Sequence, residues 1–201
     1  NVLSAANPRT RDDVLQDAIK KAKRFKERGR LIMAKKLIIV EPILCTGCLQ
    51  CELACSIHKT GIANPANSRI RVTKIEERGI YKPILCRQCN PAPCAQVCPT
   101  EAISRDVETG CVIISDESCI NCGECITACP FGAMQFSTDG DIIKCDLCGG
   151  DPVCVKYCQA RPENSSAFMA NPRASALQFV DPVDATLTRR MMQVRKLEHS
   201  Y

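Results

Sequence analysis

The sequence predicts an α+β fold in which short strand pairs alternate with tight, cysteine-bearing loops, with a helix toward each end. Three observations predict it. Sixteen of the 17 cysteines fall into four sets of four at near-regular spacing. Between the sets lie short runs that alternate polar and apolar residues, the period of a half-buried strand. Residues 11–30 and 184–198 instead repeat apolar residues at helical spacing.

Composition says what must hold such a chain together. With no Trp and 4% aromatic residues in 201, little of the usual core material is available. Cross-links replace it, as disulfides in secreted proteins or as metal in intracellular ones. Repeated C-x2-C pairs argue for metal, because a disulfide between residues three apart closes a loop too small to constrain much. The run Cys119-Ile-Asn-Cys122-Gly-Glu-Cys125-Ile-Thr-Ala-Cys129-Pro130 has the C-x2-C-x2-C-x3-C-P spacing of bacterial 4Fe-4S ligands. Three cysteines on one tight loop can reach three irons of a compact cubane. The fourth, beyond the loop, serves a second cluster.

In chain order, residues 11–30 read as an amphipathic helix, with Asp12, Asp13 and Asp17 at its start and Lys20 to Arg28 toward its end, matching the helix dipole. Leu15, Ala18, Ala22 and Phe25 form its apolar stripe, which suits docking or self-association. Residues 1–35 are thus expected to be an N-terminal extension, with Met33-Ala34-Lys35-Lys36 resembling a translation start. Leu37 to Val40 reads as a strand leading into Cys45, Cys48, Cys51 and Cys55, the first set. His58 follows closely, but with four thiols already in place it reads as a surface residue. Arg69 to Thr73 and Tyr81 to Leu85 read as a strand pair turning at Gly79.

Cys86, Cys89, Cys94 and Cys98 form the second set, widened by two residues and stiffened by Pro91 and Pro93. Residues 100–115 read as a hairpin turning at Gly110 and lead into the third set. Cys111 lies outside every set and reads as a small buried apolar residue. Ala133 to Phe136 and Asp141 to Lys144 give another short pair, followed by Cys145, Cys148, Cys154 and Cys158, the fourth set. A strand at Ala176 to Val180 and a helix over 184–198, with Leu187, Met191 and Val194 on one face, complete a C-terminal tail, 161–201.

The formal charge of +5 counts every cysteine as neutral. Four clusters with their thiolates would add roughly −8, leaving the holoprotein about −3, so the basic excess does not call for nucleic acid. No apolar run approaches the ~18 residues of a membrane span, and the N-terminal region lacks a signal peptide's apolar core. The expectation is a cytoplasmic protein without a membrane span. No dinucleotide fingerprint, phosphate loop or nucleophile-base motif is present, so no substrate chemistry is expected of the chain. The rival reading from another class is a zinc-binding structural or nucleic-acid module built on the same C-x2-C pairs. Ferredoxin spacing of the third and fourth cysteines and the Cys-Pro after two sets favour iron and sulfur.

The four sets, over about residues 37–160, resemble the four-cluster ferredoxin-like subunits of the dimethyl sulfoxide reductase iron-sulfur family. In finer detail Cys45-Thr-Gly-Cys48, Cys51 to Lys59 and Asn64-Pro65 to Val72 are similar to the small ferredoxin-like subunits of bacterial tungsten aldehyde oxidoreductases and benzoyl-CoA reductases. The resemblance implies two ferredoxin-like halves within 36–160, an inner half at about 82–140 and an outer half made of 36–81 plus 141–160. It implies four 4Fe-4S clusters whose sets exchange their last cysteine. Cys86, Cys89 and Cys94 go with Cys129, and Cys119, Cys122 and Cys125 with Cys98. Cys45, Cys48 and Cys51 go with Cys158, and Cys145, Cys148 and Cys154 with Cys55. The implied role is that of a non-catalytic wire between a tungsten- or molybdenum-containing catalytic subunit and another redox partner, a flavin subunit being one candidate. Formate dehydrogenase, hydrogenase and carbon monoxide dehydrogenase are the alternative complexes. Arg87 and Lys144, beside ligands, are candidates for tuning potentials, against the plainer reading of surface cations.

Overall fold

The computed structural model describes residues 34, 36–159 and 175–182. The helices expected over 11–30 and 184–198 lie outside the described residues. Among the described residues no helix is long and apolar enough to cross a membrane.

The architecture is α+β, and the described residues form four antiparallel strand pairs and four short α-helices. β1 (Leu37–Val40) pairs with β8 (Leu177–Val180), Leu37 opposite Val180 and Val40 opposite Leu177, so the two ends of the described chain close on each other. β2 (Ile70–Ile75) and β3 (Ile80–Leu85) form a hairpin whose turn passes through Gly79 at φ 60°, the left-handed region that glycine tolerates. β4 (Ile103–Arg105) pairs with β5 (Val112–Ile114). Their turn is held by Asp106, whose carboxylate accepts from the Thr109 N–H at 2.8 Å and from the Thr109 hydroxyl. β6 (Met134–Phe136) pairs with β7 (Ile142–Lys144). The pairs β2–β3, β4–β5 and β6–β7 fall where the sequence predicts them, whereas it predicts β1 and β8 only as separate strands.

The helices follow the cysteine loops. α1 (Gln50–Thr60) ends at Gly61, whose N–H donates to the Ile57 carbonyl from φ 75°, a left-handed cap. It buries Cys51, Glu52, Cys55 and Ser56 and exposes Leu53, Ile57 and His58. α2 (Pro93–Gln96), α3 (Glu124–Thr127) and α4 (Val153–Lys156) are single turns. Proline at the first position of α2 costs nothing there, since that N–H has no helical partner.

Among the described residues two larger apolar cores result, beside a small cluster of Leu44, Cys45 and Ala176. One gathers Ile38, Ile70, Leu85, Leu147 and Leu177 with Cys51, Cys55, Cys145 and Cys154. The other gathers Ala95, Ala102, Ile103, Val112, Met134 and Ile142 with Cys94, Cys98 and Cys125. Cys111, 2% exposed, packs into the first core from the strand pair that borders the second. Both cores carry cysteines where larger apolar residues would normally stand.

Candidate iron-sulfur centre

Every set is built alike. A loop carries the first two cysteines, a helical turn carries the third, and the fourth comes four residues after the third. Cys51 and Cys55 share the buried face of α1, whereas Cys98, Cys129 and Cys158 lie just past the ends of α2, α3 and α4. Four residues of helix advance the chain by about 6 Å, so the fourth thiol is carried beyond whatever the third one serves.

The loops share a backbone feature that spacing does not reveal. The residue before the second cysteine has positive φ in all four sets, at Gly47 (69°), Gln88 (52°), Asn121 (53°) and Leu147 (58°). Three of these are not glycine, and each costs on the order of 1 kcal/mol in that region. Strain repeated at one position of four loops marks a geometry that the site requires.

The thiols gather across sets. Burial first, then Glu52, then Cys158, Cys45 and Cys48 push the Cys51 thiol up to about 12. Burial, with Cys86 and Cys129 beside it, raises Cys94 to about 11, and the same causes raise Cys89. Cys125 is raised by burial and by Cys122, Cys119 and Cys98. Cys154 is raised by burial and by Cys145, Cys55, Cys148 and Cys51. The last cysteine of one set thus lies near the first three of another: Cys158 near set one, Cys129 near set two, Cys98 near set three and Cys55 near set four.

Other contacts prepare the sulfurs for negative charge. The Arg69 N–H donates to Cys55 Sγ at 3.3 Å, Ala133 N–H to Cys129 Sγ at 3.5 Å and Leu147 N–H to Cys145 Sγ at 3.5 Å. Burial pushes the Cys98 thiol up, but hydrogen bonds from the Thr100 side chain and from the N–H groups of Thr100, Ala102 and Ile103 outweigh it and hold Cys98 below its ordinary value. Hydrogen bonds to a thiolate favour the charged form.

Two cavities coincide with two of the thiol groups. One is lined by Cys98, Cys119, Cys122 and Cys125 with Ile103, Ile114 and Ile142. The other is lined by Cys86, Cys89, Cys94 and Cys129 with Ala92, Val112 and Met134. Among the described residues no three His, Cys, Asp or Glu converge on a single metal ion. Four thiols around an apolar cavity, with backbone N–H groups aimed at sulfur, fit a polynuclear iron-sulfur cluster.

Comparison with known proteins points to iron-sulfur binding as well. The 4Fe-4S dicluster domain matches residues 78–166. The polyferredoxin-like subunit of aliphatic sulfonate oxidoreductase from Pyrococcus furiosus is 44% identical over 122 residues, covering 60% of this chain and 70% of that one. The chain belongs to the 4Fe-4S dicluster ferredoxin family. The electron transport protein HydN of Escherichia coli is 34% identical over 147 residues, 61% of this ferredoxin chain and 83% of its own. The active-site complex BamBC of benzoyl coenzyme A reductase aligns over 83% of this chain and 91% of the other, at 23% identity and a TM-score of 0.40.

Several polar residues around the centre escape sequence reading. Gln88 is 5% exposed, its Nε2 donating to the Cys145 carbonyl at 3.0 Å and its Oε1 accepting from the Val112 N–H at 2.7 Å. Arg105 donates to the carbonyls of Gly110 at 2.8 Å, Gln88 and Cys89. Lys59 reaches Asp146 at 2.6 Å beside the fourth set. Of the two expected tuning residues, Arg87 is exposed with its guanidinium 5.2 Å from the Phe131 ring centroid. Lys144 is not a surface cation, since it is 4% exposed.

Proposed function

We propose that this chain is a non-catalytic electron-transfer subunit carrying electrons through four 4Fe-4S clusters between a catalytic oxidoreductase subunit and a second redox partner. The ligand groups are Cys45, Cys48, Cys51 and Cys158; Cys145, Cys148, Cys154 and Cys55; Cys86, Cys89, Cys94 and Cys129; and Cys119, Cys122, Cys125 and Cys98. The observation that carries the reading is that the groups form a row. Cys51 of the first acts on Cys154 of the second, and Cys86 of the third acts on Cys145 of the second. The third and fourth exchange Cys129 and Cys98 across the second core. The exposed cysteines, Cys48 and Cys122, belong to the two ends of this row.

A row with its ends at the surface suits electron entry at one end and exit at the other. The catalytic partner we infer carries tungsten or molybdenum, on the resemblance of the first cysteine set and the Asn64-Pro65 segment to the small subunits of aldehyde oxidoreductases of that kind. The N-terminal segment 1–35 is the candidate for docking or self-association. The test is chemical. The isolated chain should hold about sixteen irons, absorb broadly in the visible and bleach with dithionite. A colourless, zinc-loaded chain overturns the reading. Co-purification of a tungsten- or molybdenum-containing chain from the source organism tests the partner.

A further inference from the structure

The two cluster pairs meet at a buried polar seam. Lys144 closes β7, and its Nζ donates to the carbonyls of Val112 and Cys145, the latter at 2.9 Å. Gln88 crosses the same seam between the same two residues, as a donor to Cys145 and an acceptor from Val112. Among the described residues the Lys144 amine donates to carbonyls, those of Val112 and Cys145. Among the described residues no Asp or Glu lies within ion-pair distance of it. An ammonium taken out of water without a counter-charge is costly to bury, and such charges are retained where an anion balances them.

The balancing anions stand on both sides. The Lys144 charge acts on Cys94 in one ligand group, on Cys145 in the next and on Cys111 between them. We propose that Lys144 is the shared counter-charge of the two middle clusters, those held by the Cys94 and Cys145 groups, and raises the reduction potential of both. The sign follows from charge. Reduction adds an electron to an already anionic cluster, and a fixed cation favours the more negative state. Burial makes the effect large, because little water lies between the amine and the sulfurs to screen it.

This inference rests on the four-cluster reading, and the unmodified chain tests that reading separately through its iron content and its four redox signals. The inference is tested on the full, cluster-loaded chain by redox titration followed by electron paramagnetic resonance. In Lys144→Met the two middle potentials should fall, the two end potentials should stay, and Lys144→Arg should return the middle pair toward the wild-type values. Full iron with no potential moved, or with all four moved alike, overturns the proposal. Should Lys144→Met load poorly, Lys144→Gln decides. Lowered middle potentials, or iron loss confined to two clusters and absent from Lys144→Arg, support the role. Wild-type potentials in Lys144→Gln, or equal iron loss in Lys144→Arg, refute it.

Discussion

Gly47 lies against the ring of Tyr81, where a methyl built on its Cα would stand 2.7 Å from Tyr81 Cδ1. Its φ of 69° is also the conformation that side chains disfavour. Gly47→Ala therefore meets two obstacles, a clash with a half-buried ring and backbone strain, of about 1–3 kcal/mol for the clash and about 1–2 kcal/mol for the strain. The expected result is loss of the cluster at Cys45, Cys48, Cys51 and Cys158, seen as about a quarter less iron per chain with the other redox signals retained. Adding Tyr81→Ala should restore part of that iron, because it removes the clash and leaves the strain. Full iron in Gly47→Ala would show that the loop tolerates a different path.

Gln88 holds Cys145 and Val112 with the two ends of its amide. Gln88→Ala leaves the buried Val112 N–H without its acceptor, and an unsatisfied buried group costs about 1–3 kcal/mol. Gln88→Glu keeps the acceptor for Val112 but sets a buried carboxylate oxygen in place of the donor to Cys145, a charge that the Lys144 amine on the same carbonyl can balance. The denaturant midpoint of the cluster-loaded chain should thus fall further for alanine than for glutamate. The opposite order would mean that the Cys145 contact matters more than the Val112 contact.

What the sequence made legible depends on distance along the chain. The strand pairs β2–β3, β4–β5 and β6–β7 join neighbours through short turns, so alternation and Gly79 or Gly110 suffice to find them. The β1–β8 pairing joins residues at opposite ends of the described chain, and nothing local in Leu37–Val40 names Leu177–Val180 as its partner. The four cysteine sets were legible because their spacing repeats along the chain. The contacts of Lys144, Gln88 and Arg105 were not, because each reads as an ordinary solvent-facing residue until the fold buries Lys144 and Gln88 and half-buries Arg105. Lys144 beside Cys145 raised the question of tuning, but only its burial makes the answer specific.

Cluster loading should release protons over a wide pH range. Ligand thiols must ionise to bind iron, so each cluster displaces on the order of four protons from a protonated site. Free cysteines would already be half ionised near pH 8.5, and the count would shrink there. Burial instead holds Cys51 and Cys145 at about 12 and Cys94 at about 11, so these thiols stay protonated in the cluster-free fold at pH 9. Their folded values lie above the unfolded ones, so their contribution to the cluster-free fold is full below about pH 9 and is lost as pH rises toward 12. A pH-stat measurement during anaerobic reconstitution should still find, at pH 9, the protons that Cys51, Cys94 and Cys145 give up. A fall in release between pH 7 and 9 larger than the other ligand thiols can account for would contradict the burial of these three.

Asp146 performs two tasks beside the fourth set, and substitutions separate them. Its Oδ2 accepts from Lys59 at 2.6 Å, tying α1 to the loop, while its Oδ1 accepts from the Cys148 N–H at 3.0 Å. The second contact holds the turn in which Leu147 and Cys148 both take positive φ. Burial pushes the Asp146 carboxyl up, but the hydrogen bond and charge of Lys59 and the Cys148 N–H outweigh it and hold the group below the usual carboxylate range. Asp146→Asn keeps an acceptor for Cys148 and loses the ion pair, at about 1 kcal/mol for a partly exposed pair. Asp146→Ala loses the cap as well, at about 1 kcal/mol more. A depressed carboxyl contributes its full share above the unfolded value near 4 and loses it only as pH falls below that. The stability gap between wild type and Asp146→Asn should therefore stay constant from pH 8 to pH 6 in urea unfolding of the cluster-loaded chain. A gap that closes within that range would mean the carboxyl titrates there and that Lys59 does not hold it ionised.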